Sequence, residues 1–429
     1  MARIGIDARL YGVASGTGIG RYVEELISSM AYLLSPSPDA PAGTGRSPSP
    51  CDGEGEDVSF VVFLRRDGFD AFDPPNDRWS KVLADFRPYT LGVQTRYPRL
   101  IRDARVNLMH FTHFDHPIRC PVPFVTTIHD LILLHHPSIR ASTLGPLRFW
   151  MKYHAYRAVL RHALRASRMV LTPSETIRQQ LHNELHIPLA RITATALGAD
   201  HVTRHQVSAI SSRIPPTPYL LYIGNAYPHK HLETLIASMA TCRKRPELHD
   251  LSLVLVGRAD DFTRRLQAKT TASPWVIWYG ATHEKERTQL VRNAAAYVTL
   301  SADEGFDLPT VEALAAGTPV IASDIPVHRE ILGDAAMLLR ESDVNTFAEA
   351  IADLVVNRSP TGLRARLGAN GPAHAARYQW RACAQQTLRV YRDALQCLDV
   401  EPPRRRDERV ADPPTTSPPR SSSPTSTRG

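Results

Sequence analysis

The chain alternates short apolar runs of strand length with helical stretches, and it does so in two separate series. The runs of the first series lie at residues 4–7, 58–64, 108–111, 123–128 and 169–172. Those of the second lie at residues 219–223, 252–256, 276–278, 296–300 and 320–322. Strands that alternate with helices build a parallel sheet with helices on both faces. The sequence therefore predicts an α/β protein with two Rossmann-like parallel-sheet domains facing a cleft.

A proline-rich joint, Pro215-Pro216-Thr217-Pro218, separates the two series. The expected parts are an N-terminal domain over residues 1–200, a linker over 201–218, a C-terminal domain over 219–380, and a last helix over 381–400 that packs back on the N-terminal domain. Residues 35–57 and 401–429 are rich in Pro and Ser. Such segments cannot bury a core, so we expect a flexible insertion and a disordered tail.

The chain is basic, with 51 Lys and Arg against 43 Asp and Glu. Such a balance suits nucleic acid, an anionic membrane or phosphorylated substrates, but no nucleic-acid-binding motif is present, so we expect no nucleic-acid partner. The five cysteines are scattered without Cys-x-x-Cys spacing, which favours a reducing compartment. The first residues lack a signal peptide's apolar core, and no run approaches the about 20 apolar residues of a spanning helix. We therefore expect a cytoplasmic protein, either free or peripheral to the inner face of the membrane.

Residues 301–320 carry the strongest functional signal in the chain. They predict a strand end, a loop, a short helix that begins near Pro309 and ends before Gly317, and a further strand. The free N–H groups of a helix's first turn bind anions such as a diphosphate. Glu304 in the loop and Glu312 in the helix can accept hydrogen bonds from sugar or ribose hydroxyls. The segment therefore predicts a site for a sugar nucleotide.

In each of the two series, a glycine-containing loop follows the first strand. Gly16, Gly18 and Gly20 allow close backbone approach to a ligand, but their spacing differs from the dinucleotide fingerprint, so they indicate either a phosphate contact or a plain turn. The second loop, residues 224–231, ends in a helix start where Lys230 can reach a phosphate as a point charge. The alternative interpretation of Lys230 is a solvated lysine on the surface that binds no phosphate.

Together these motifs resemble the retaining glycosyltransferases of family 4, which have the GT-B architecture. Glu304-Gly-Phe-Asp-Leu-Pro and Glu312-Ala-Leu-Ala-Ala-Gly-Thr-Pro-Val-Ile-Ala-Ser resemble the paired-glutamate motif of that family. Gly-Asn-Ala-Tyr-Pro-His-Lys, which ends at Lys230, resembles its donor-phosphate loop. The segments Ser15-Gly-Thr-Gly-Ile-Gly-Arg-Tyr and Thr-Ile-His129-Asp-Leu resemble its N-terminal landmarks. The motif style is similar to that of mannosyltransferase-like members.

The resemblance implies a role for each matching residue. Glu312 would hold the ribose hydroxyls, Glu304 would contact the transferred sugar, and Lys230 would neutralise the departing diphosphate. His129 would lie at the cleft floor near the outer hydroxyls of the sugar. The backbone amides that would help bind the diphosphate are those near Gly16 and Gly18 and those of Phe306, Asp307 and Leu308.

The chain departs from the family pattern at two of the expected binding positions. Asp307 stands where the family commonly has glycine; aspartate tolerates a left-handed backbone, but its charge would lie near a diphosphate. Asn225 stands where many members have arginine, so Lys230 would carry more of the phosphate charge alone.

Family members generally act without a metal, and the chain has no hydrophobic-flanked Asp-x-Asp motif, so we expect no metal and no cofactor besides the nucleotide-sugar substrate. The segment containing His110, His113 and His116 offers an alternative, because these residues would share one face of a helix and could bind a metal. The segment instead follows an apolar strand, where a period of two would splay them. They then either line the acceptor side of the cleft or form a polar loop.

A basic row lies on the predicted helix over residues 147–166 and just beyond it, at Arg157, Arg161, Arg165 and Arg168. Such a row indicates a solvated face or a surface that docks on anionic lipid.

Together with the motifs, the resemblance implies a retaining glycosyltransferase that moves a hexose from a nucleotide sugar to a glycan or polyprenyl-linked acceptor in surface polysaccharide assembly. Mannose from GDP-mannose is the first expectation, and UDP-sugars are the next. The alternative is a catalytically silent scaffold of the same fold that binds a nucleotide sugar or glycan.

Overall fold

The computed structural model describes residues 2–12, 18–35, 58–137, 145–204, 212–215, 218–340, 343–357 and 359–396. Gly16, most of the expected insertion and the expected tail lie outside the described residues.

Seven parallel strands form the N-terminal sheet. They are β1 (Ala2–Asp7), β2 (Val58–Leu64), β3 (Trp79–Leu83), β4 (Leu108–Phe111), β5 (Phe124–Thr127), β6 (Val170–Thr172) and β7 (Ile192–Ala194). Their order is β3-β2-β1-β4-β5-β6-β7. The order reverses between β1 and β4, and open α/β sheets bind ligands beyond the carboxyl ends of the strands at such a point.

Eight helices of the described chain accompany this sheet. They are α1 (Gly18–Leu34), α2 (Arg66–Ala71), α3 (Leu91–Thr95), α4 (Tyr97–Asp103), α5 (Ile132–His135), α6 (Pro146–Ala166), α7 (Glu175–Leu185) and α8 (His201–Arg204). Helix α7 begins after Ser174, whose hydroxyl accepts a hydrogen bond from the backbone N–H of Ile177. This cap fixes where the chain turns into the helix at the carboxyl end of β6.

Six parallel strands form the C-terminal sheet. They are β8 (Tyr219–Ile223), β9 (Ser252–Val256), β10 (Val276–Gly280), β11 (Ala296–Thr299), β12 (Val320–Ser323) and β13 (Met337–Leu339). Their order is β10-β9-β8-β11-β12-β13. The helices of this half are α9 (Leu232–Cys242), α10 (Asp261–Lys269), α11 (Glu284–Asn293), α12 (Leu308–Ala315), α13 (Pro326–Leu332), α14 (Val344–Val356), α15 (Leu363–Ala375) and α16 (Trp380–Gln396). The predicted fold class, two parallel-sheet Rossmann-like domains, is confirmed.

Three strands were not among the predicted runs: β3, β7 and β13. Each lies at an edge of its sheet, and most of its residues are only partly buried. Because an edge strand is covered less completely than a central one, its sequence need not be a continuous apolar run. The central strands β2, β4, β8 and β9 are mostly buried, and their sequences are accordingly apolar.

The last described helix, α16, lies against the N-terminal half of the molecule. It packs on α1, β4 and β5, and its Trp380 and Tyr391 are buried. The Tyr391 hydroxyl lies 2.7 Å from His110 Nδ1 on β4. At Gly198, an added Cβ would lie 2.1 Å from the backbone nitrogen of Trp380. The chain therefore crosses back from the C-terminal sheet to the N-terminal one along a closely packed path.

None of the helices in the described part of the chain combines the length and the apolar composition that crossing a membrane requires.

Candidate active site

The loops at the carboxyl ends of the two sheets meet at Gly305. A Cβ added at Gly305 would lie 1.8 Å from the carbonyl oxygen of His129, so only glycine fits this contact. The hydroxyl of Ser174 donates a hydrogen bond of 2.7 Å to the carbonyl oxygen of Gly305. The loop after β11 is thus closed against the loops after β5 and β6, and the cleft between the domains is narrow here.

Lys230 and Glu304 form an ion pair beside this contact. Lys230 lies in a short 3-10 turn after β8, and its Nζ donates to Glu304 Oε1. The backbone N–H of Ala302 donates to the carbonyl oxygen of His229 at 2.8 Å and joins the two loops. Burial disfavours both charges, but the ion pair outweighs it, raising the pKa of Lys230 and lowering the pKa of Glu304. Both side chains of the pair are therefore charged.

His129 and Asp130 approach this pair from the N-terminal domain. The Nε2 of His129 lies 2.8 Å from the carbonyl oxygen of Thr112, so Nε2 must carry the proton. Burial lowers the pKa of His129 to about 4, and its Nδ1 therefore holds a lone pair that can accept a hydrogen bond. Burial raises the pKa of Asp130 to about 6, while its Oδ1 accepts from the backbone N–H of Ile132 at 3.0 Å.

Glu312 on α12 is only 1 % exposed and faces three cationic or donor groups. Arg287 donates to its Oε2 from Nε at 3.1 Å and from Nη2 at 2.5 Å. On the other oxygen, Oε1, His201 Nε2 lies at 3.1 Å and Arg21 Nε at 3.6 Å. Burial opposes ionisation, but these partners hold the pKa of Glu312 well below its usual range. The carboxylate is therefore ionised and fully engaged in this state.

The tautomer of His201 follows from its second partner. Trp380 Nε1 donates to His201 Nδ1 at 3.1 Å, so Nδ1 accepts and the proton lies on Nε2, which points at Glu312. Arg21 also pairs with Glu284 on α11. Sequence reasoning did not identify Arg287, His201 or Arg21 as site residues. A buried, charged glutamate requires cationic partners, so partners for Glu312 could have been expected. The sequence pattern does not identify which residues they are.

The remaining predicted binding residues lie in different surroundings. Gly18 begins α1 and has open space where a Cβ would be. The side-chain oxygen of Asn225 accepts a hydrogen bond from the backbone N–H of Tyr227 at 3.3 Å, within the loop over residues 224–231. Phe306 and Leu308 are 4 % exposed and belong to the hydrophobic core, so only their backbone groups are candidates for ligand contact. Asp307 has φ 60° and ψ 61°, in the left-handed region.

A pocket of about 140 Å³ lies at the carboxyl ends of β8, β9 and β10. Gly224 and Ala226 line one side, so the pocket is continuous with the loop over residues 224–231. Thr263 and Gln267 of α10 supply polar groups, and Trp278 supplies an aromatic wall. The mixture of an apolar wall and a few polar groups is typical of small-molecule sites.

The three histidines of the N-terminal sheet edge have separate partners. His110 bonds Tyr391 and Thr127, and His116 Nε2 lies 2.8 Å from His162 Nδ1. His113 stacks near the ring of His129, with 6.4 Å between centroids. Burial lowers the pKa of all three. Among the residues that the structure describes, no group of three or more His, Cys, Asp or Glu could hold a metal.

The arginine row of α6 does not form one solvated face. Arg168 Nη1 donates to the carbonyl oxygen of Ala394 on α16 at 3.2 Å, and the Arg157 guanidinium lies over the Tyr153 ring. Arg165 is exposed. The row therefore serves partly to hold α16 in place.

Known proteins share both the sequence pattern and the fold. Residues 206–374 match the family described as glycosyl transferases group 1, and residues 54–202 match glycosyltransferase family 4. The O-antigen chain mannosyltransferase B of Escherichia coli is 24 % identical over 88 % of this chain and 96 % of its own length. A phosphatidyl-myo-inositol mannosyltransferase of Mycobacterium tuberculosis is 32 % identical over 61 % of this chain and 73 % of its own length.

The fold also matches a solved structure of the Anabaena protein HepE in complex with UDP-glucose. That likeness has a TM-score of 0.64 at 16 % identity and covers 92 % of this chain and 100 % of the other. The paired-glutamate motif, the two parallel sheets and these matches agree on one assignment. The chain is an enzyme of glycosyltransferase family 4 with the GT-B architecture.

Proposed function

We propose that this enzyme transfers a hexose from a nucleotide diphosphate sugar to a hydroxyl of a glycan or polyprenyl-linked acceptor, with retention of the anomeric configuration. The observation that carries the proposal is the Lys230–Glu304 pair, which joins the loop over residues 224–231 to the loop before α12, next to the contact of Gly305 with His129. A cation, a helix N-terminus and a carboxylate at one place suit a diphosphate attached to a sugar.

In the proposed reaction, Lys230 turns from Glu304 to the diphosphate as the bond between the sugar carbon and the phosphate oxygen breaks. The acceptor oxygen attacks from the same face of the sugar, and its proton passes to the departing phosphate oxygen. Stabilisation of that oxygen and alignment of the acceptor supply the rate enhancement. His129 Nδ1 accepts a hydrogen bond from an outer hydroxyl of the sugar and orients the ring.

The donor is proposed to be GDP-mannose first and a UDP-sugar second. The relatives from E. coli and M. tuberculosis are both named mannosyltransferases, and this supports mannose as the transferred sugar. The pocket beside Gly224 suits a nucleobase, since it is continuous with the donor-phosphate loop and offers Gln267 and Thr263 as polar partners. Glu312 is proposed to bind the ribose hydroxyls through Oε1 once Arg21 moves away from that oxygen, because Arg21 belongs to the N-terminal half and lies 3.6 Å from Oε1.

We further propose a peripheral contact with an anionic membrane at the start of α6. Leu147 and Met151 are 76 % and 65 % exposed, and the exposed cations Arg148 and Lys152 lie in the same two turns. Apolar side chains flanked by cations suit an interface with anionic lipid. Flotation with vesicles containing phosphatidylglycerol tests this: the double variant Leu147→Glu/Met151→Glu should lose binding, whereas Leu91→Glu, at another exposed leucine, should keep it.

The transfer itself is tested by incubating the protein with a panel of GDP-, UDP-, dTDP- and ADP-sugars. A thermal shift identifies the nucleotide, because at equal concentrations the ligand with the lowest Kd stabilises the fold most, by an amount that grows with the logarithm of concentration over Kd. Release of nucleoside diphosphate in the presence of acceptor lipid extract then measures turnover, and EDTA should leave it unchanged if no metal is needed. Binding without turnover for every donor would instead support the catalytically silent scaffold.

A further inference from the structure

Asp307 holds a backbone conformation that favours glycine, and its surroundings fix it there. Its φ of 60° lies in the left-handed region. Its carbonyl oxygen accepts hydrogen bonds from the backbone N–H of Thr310 at 3.0 Å and from the Thr310 hydroxyl at 2.6 Å. An outlier of this kind at a site is a reason to ask what the side chain does there, since glycine would adopt the same backbone without strain.

The side chain of Asp307 is held by a buried histidine. His328, on α13, is 0 % exposed, and its Nε2 lies 3.1 Å from Asp307 Oδ2. Its Nδ1 lies 2.7 Å from the carbonyl oxygen of Ser323, which can only accept. Nδ1 is therefore protonated, and the contact on the other side requires a second proton between Nε2 and Oδ2. Burial disfavours a charged histidine, yet the hydrogen bond to Asp307 raises the pKa of His328.

This arrangement balances the charges of the loop after β11. Glu304 already takes Lys230 as its partner, and Asp307 takes His328. Burial and the neighbouring Glu304 charge raise the pKa of Asp307, so without His328 the two carboxylates would compete for one lysine. With His328 on Asp307, Glu304 is the one carboxylate of the described residues that forms an ion pair with Lys230, although the nearby charge of Asp307 still helps to raise the pKa of the lysine.

One oxygen of Asp307 remains for a ligand. His328 engages Oδ2, and in the described part of the chain no hydrogen bond reaches Oδ1. The side chain is 7 % exposed, and it lies three residues from Glu304, the residue proposed to contact the sugar. We propose that Asp307, oriented by His328, is a specificity-determining residue that accepts a hydrogen bond from a hydroxyl of the transferred hexose. This inference rests on the proposed function, since it assigns a role within the same donor site.

The test compares donors that share a nucleotide and differ at one sugar position: GDP-mannose with GDP-6-deoxymannose and with GDP-glucose, and UDP-glucose with UDP-galactose. For each pair the ratio of kcat/KM is measured in the wild type, Asp307→Gly, Asp307→Asn and His328→Gln. Glycine suits the left-handed backbone, so Asp307→Gly should fold. Asp250→Asn is the control, an exposed aspartate before the amino end of β9.

We expect Asp307→Gly to change the ratio for at least one pair by about tenfold or more, the value of one lost hydrogen bond to a charged group. His328→Gln should change the same ratio in the same direction, and the double variant should add little, because both act on one contact. A variant that is merely misfolded lowers kcat/KM for both donors alike and leaves their ratio unchanged.

Ratios in Asp307→Gly equal to those of the wild type, with the wild type active, would overturn this inference and leave the proposed function standing. A wild type that turns over none of the donors would overturn both. A ratio that changes in Asp250→Asn as much as in Asp307→Gly would also count against the assignment, because it would place the effect outside the loop.

Discussion

Arg21 on α1 and Glu312 on α12 lie 3.6 Å apart, measured from Nε to Oε1, although their helices flank different sheets. Arg287, on the other oxygen, comes from the same half of the chain as Glu312. The two carboxylate oxygens of Glu312 therefore have partners from different halves of the chain. Oε2 is bound by Arg287 from within the C-terminal half, whereas Oε1 is bound by His201 and lies beside Arg21 of the N-terminal half.

Glu312→Gln is expected to destabilise the protein and to weaken nucleotide binding. The neutral amide would leave Arg287 and Arg21 buried without a carboxylate, and breaking a buried ion pair costs about 3 kcal/mol or more. Calorimetry should show a lower Tm, and titration with GDP and UDP should show a larger Kd. Glu247→Gln, at an exposed glutamate, is the matched control. An unchanged Tm and Kd would mean that Glu312 has neither role.

Lys230→Ala is expected to lower kcat more than it weakens donor binding. The lysine is proposed to act on charge that develops as the diphosphate leaves, and loss of one such group costs about a hundredfold in kcat. Single-turnover kinetics and donor titration separate the two quantities. Lys244→Ala removes an exposed lysine and should leave both unchanged. Equal losses in binding and in kcat would assign Lys230 to ground-state binding alone.

His135 is expected to make the stability of the protein depend on pH. Its Nδ1 lies 2.6 Å from Asp303 and its Nε2 3.0 Å from Glu184, so it joins the two halves. The hydrogen bond to Asp303 is the main reason that the pKa of His135 is raised to about 9 from an ordinary value of 6.5. Because the folded value is the higher one, the stabilisation is complete below pH 6.5 and is lost as the pH rises through 9.

His135→Gln should therefore lower the free energy of unfolding by about 1 kcal/mol at pH 6, since partial exposure weakens the ion pairs. The difference in the free energy of unfolding between this variant and the wild type should decrease as the pH is raised to 10. Denaturant unfolding at several pH values measures it, with His154→Gln on the exposed face of α6 as the control. A difference that stays constant from pH 6 to pH 10 would rule out protonation as its source.

Gly305→Ala is expected to disturb the approach of the two halves. An added methyl group would meet the carbonyl oxygen of His129, and backbone atoms cannot move aside as a flexible side chain can. We expect kcat/KM to fall by about tenfold or more, while the affinity for the free nucleotide changes less. Small-angle scattering should show a larger radius of gyration. Gly145→Ala, where an added Cβ meets nothing, should behave as the wild type in both measurements.

The sequence predicted what depends on local pattern and missed what depends on long-range pairing. Central strands such as β2 and β8 were visible because burial on both faces demands apolar residues, whereas the partly exposed edge strands β3, β7 and β13 were not. Glu304 and Lys230 were each predicted as site residues, but the ion pair between them was not. The partners of Glu312 were not predicted, because 291 positions separate Arg21 from it and no periodicity links such distant residues.

The same limit applies to Asp307. The family commonly has glycine at this position, so the aspartate was noticeable in the sequence. Its partner His328 lies on another helix, α13, and was therefore not predicted. The role of a buried polar side chain such as Asp307 becomes clear only when its hydrogen-bond partner is known.

The return of α16 to the N-terminal half also bears on how the protein is made. Tyr391 and Trp380 complete a core whose first strand is made from the opening residues of the chain. During synthesis that core therefore stays incomplete until α16 has left the ribosome. The nascent N-terminal half spends this interval with an uncovered apolar face, which makes it a natural client for chaperones.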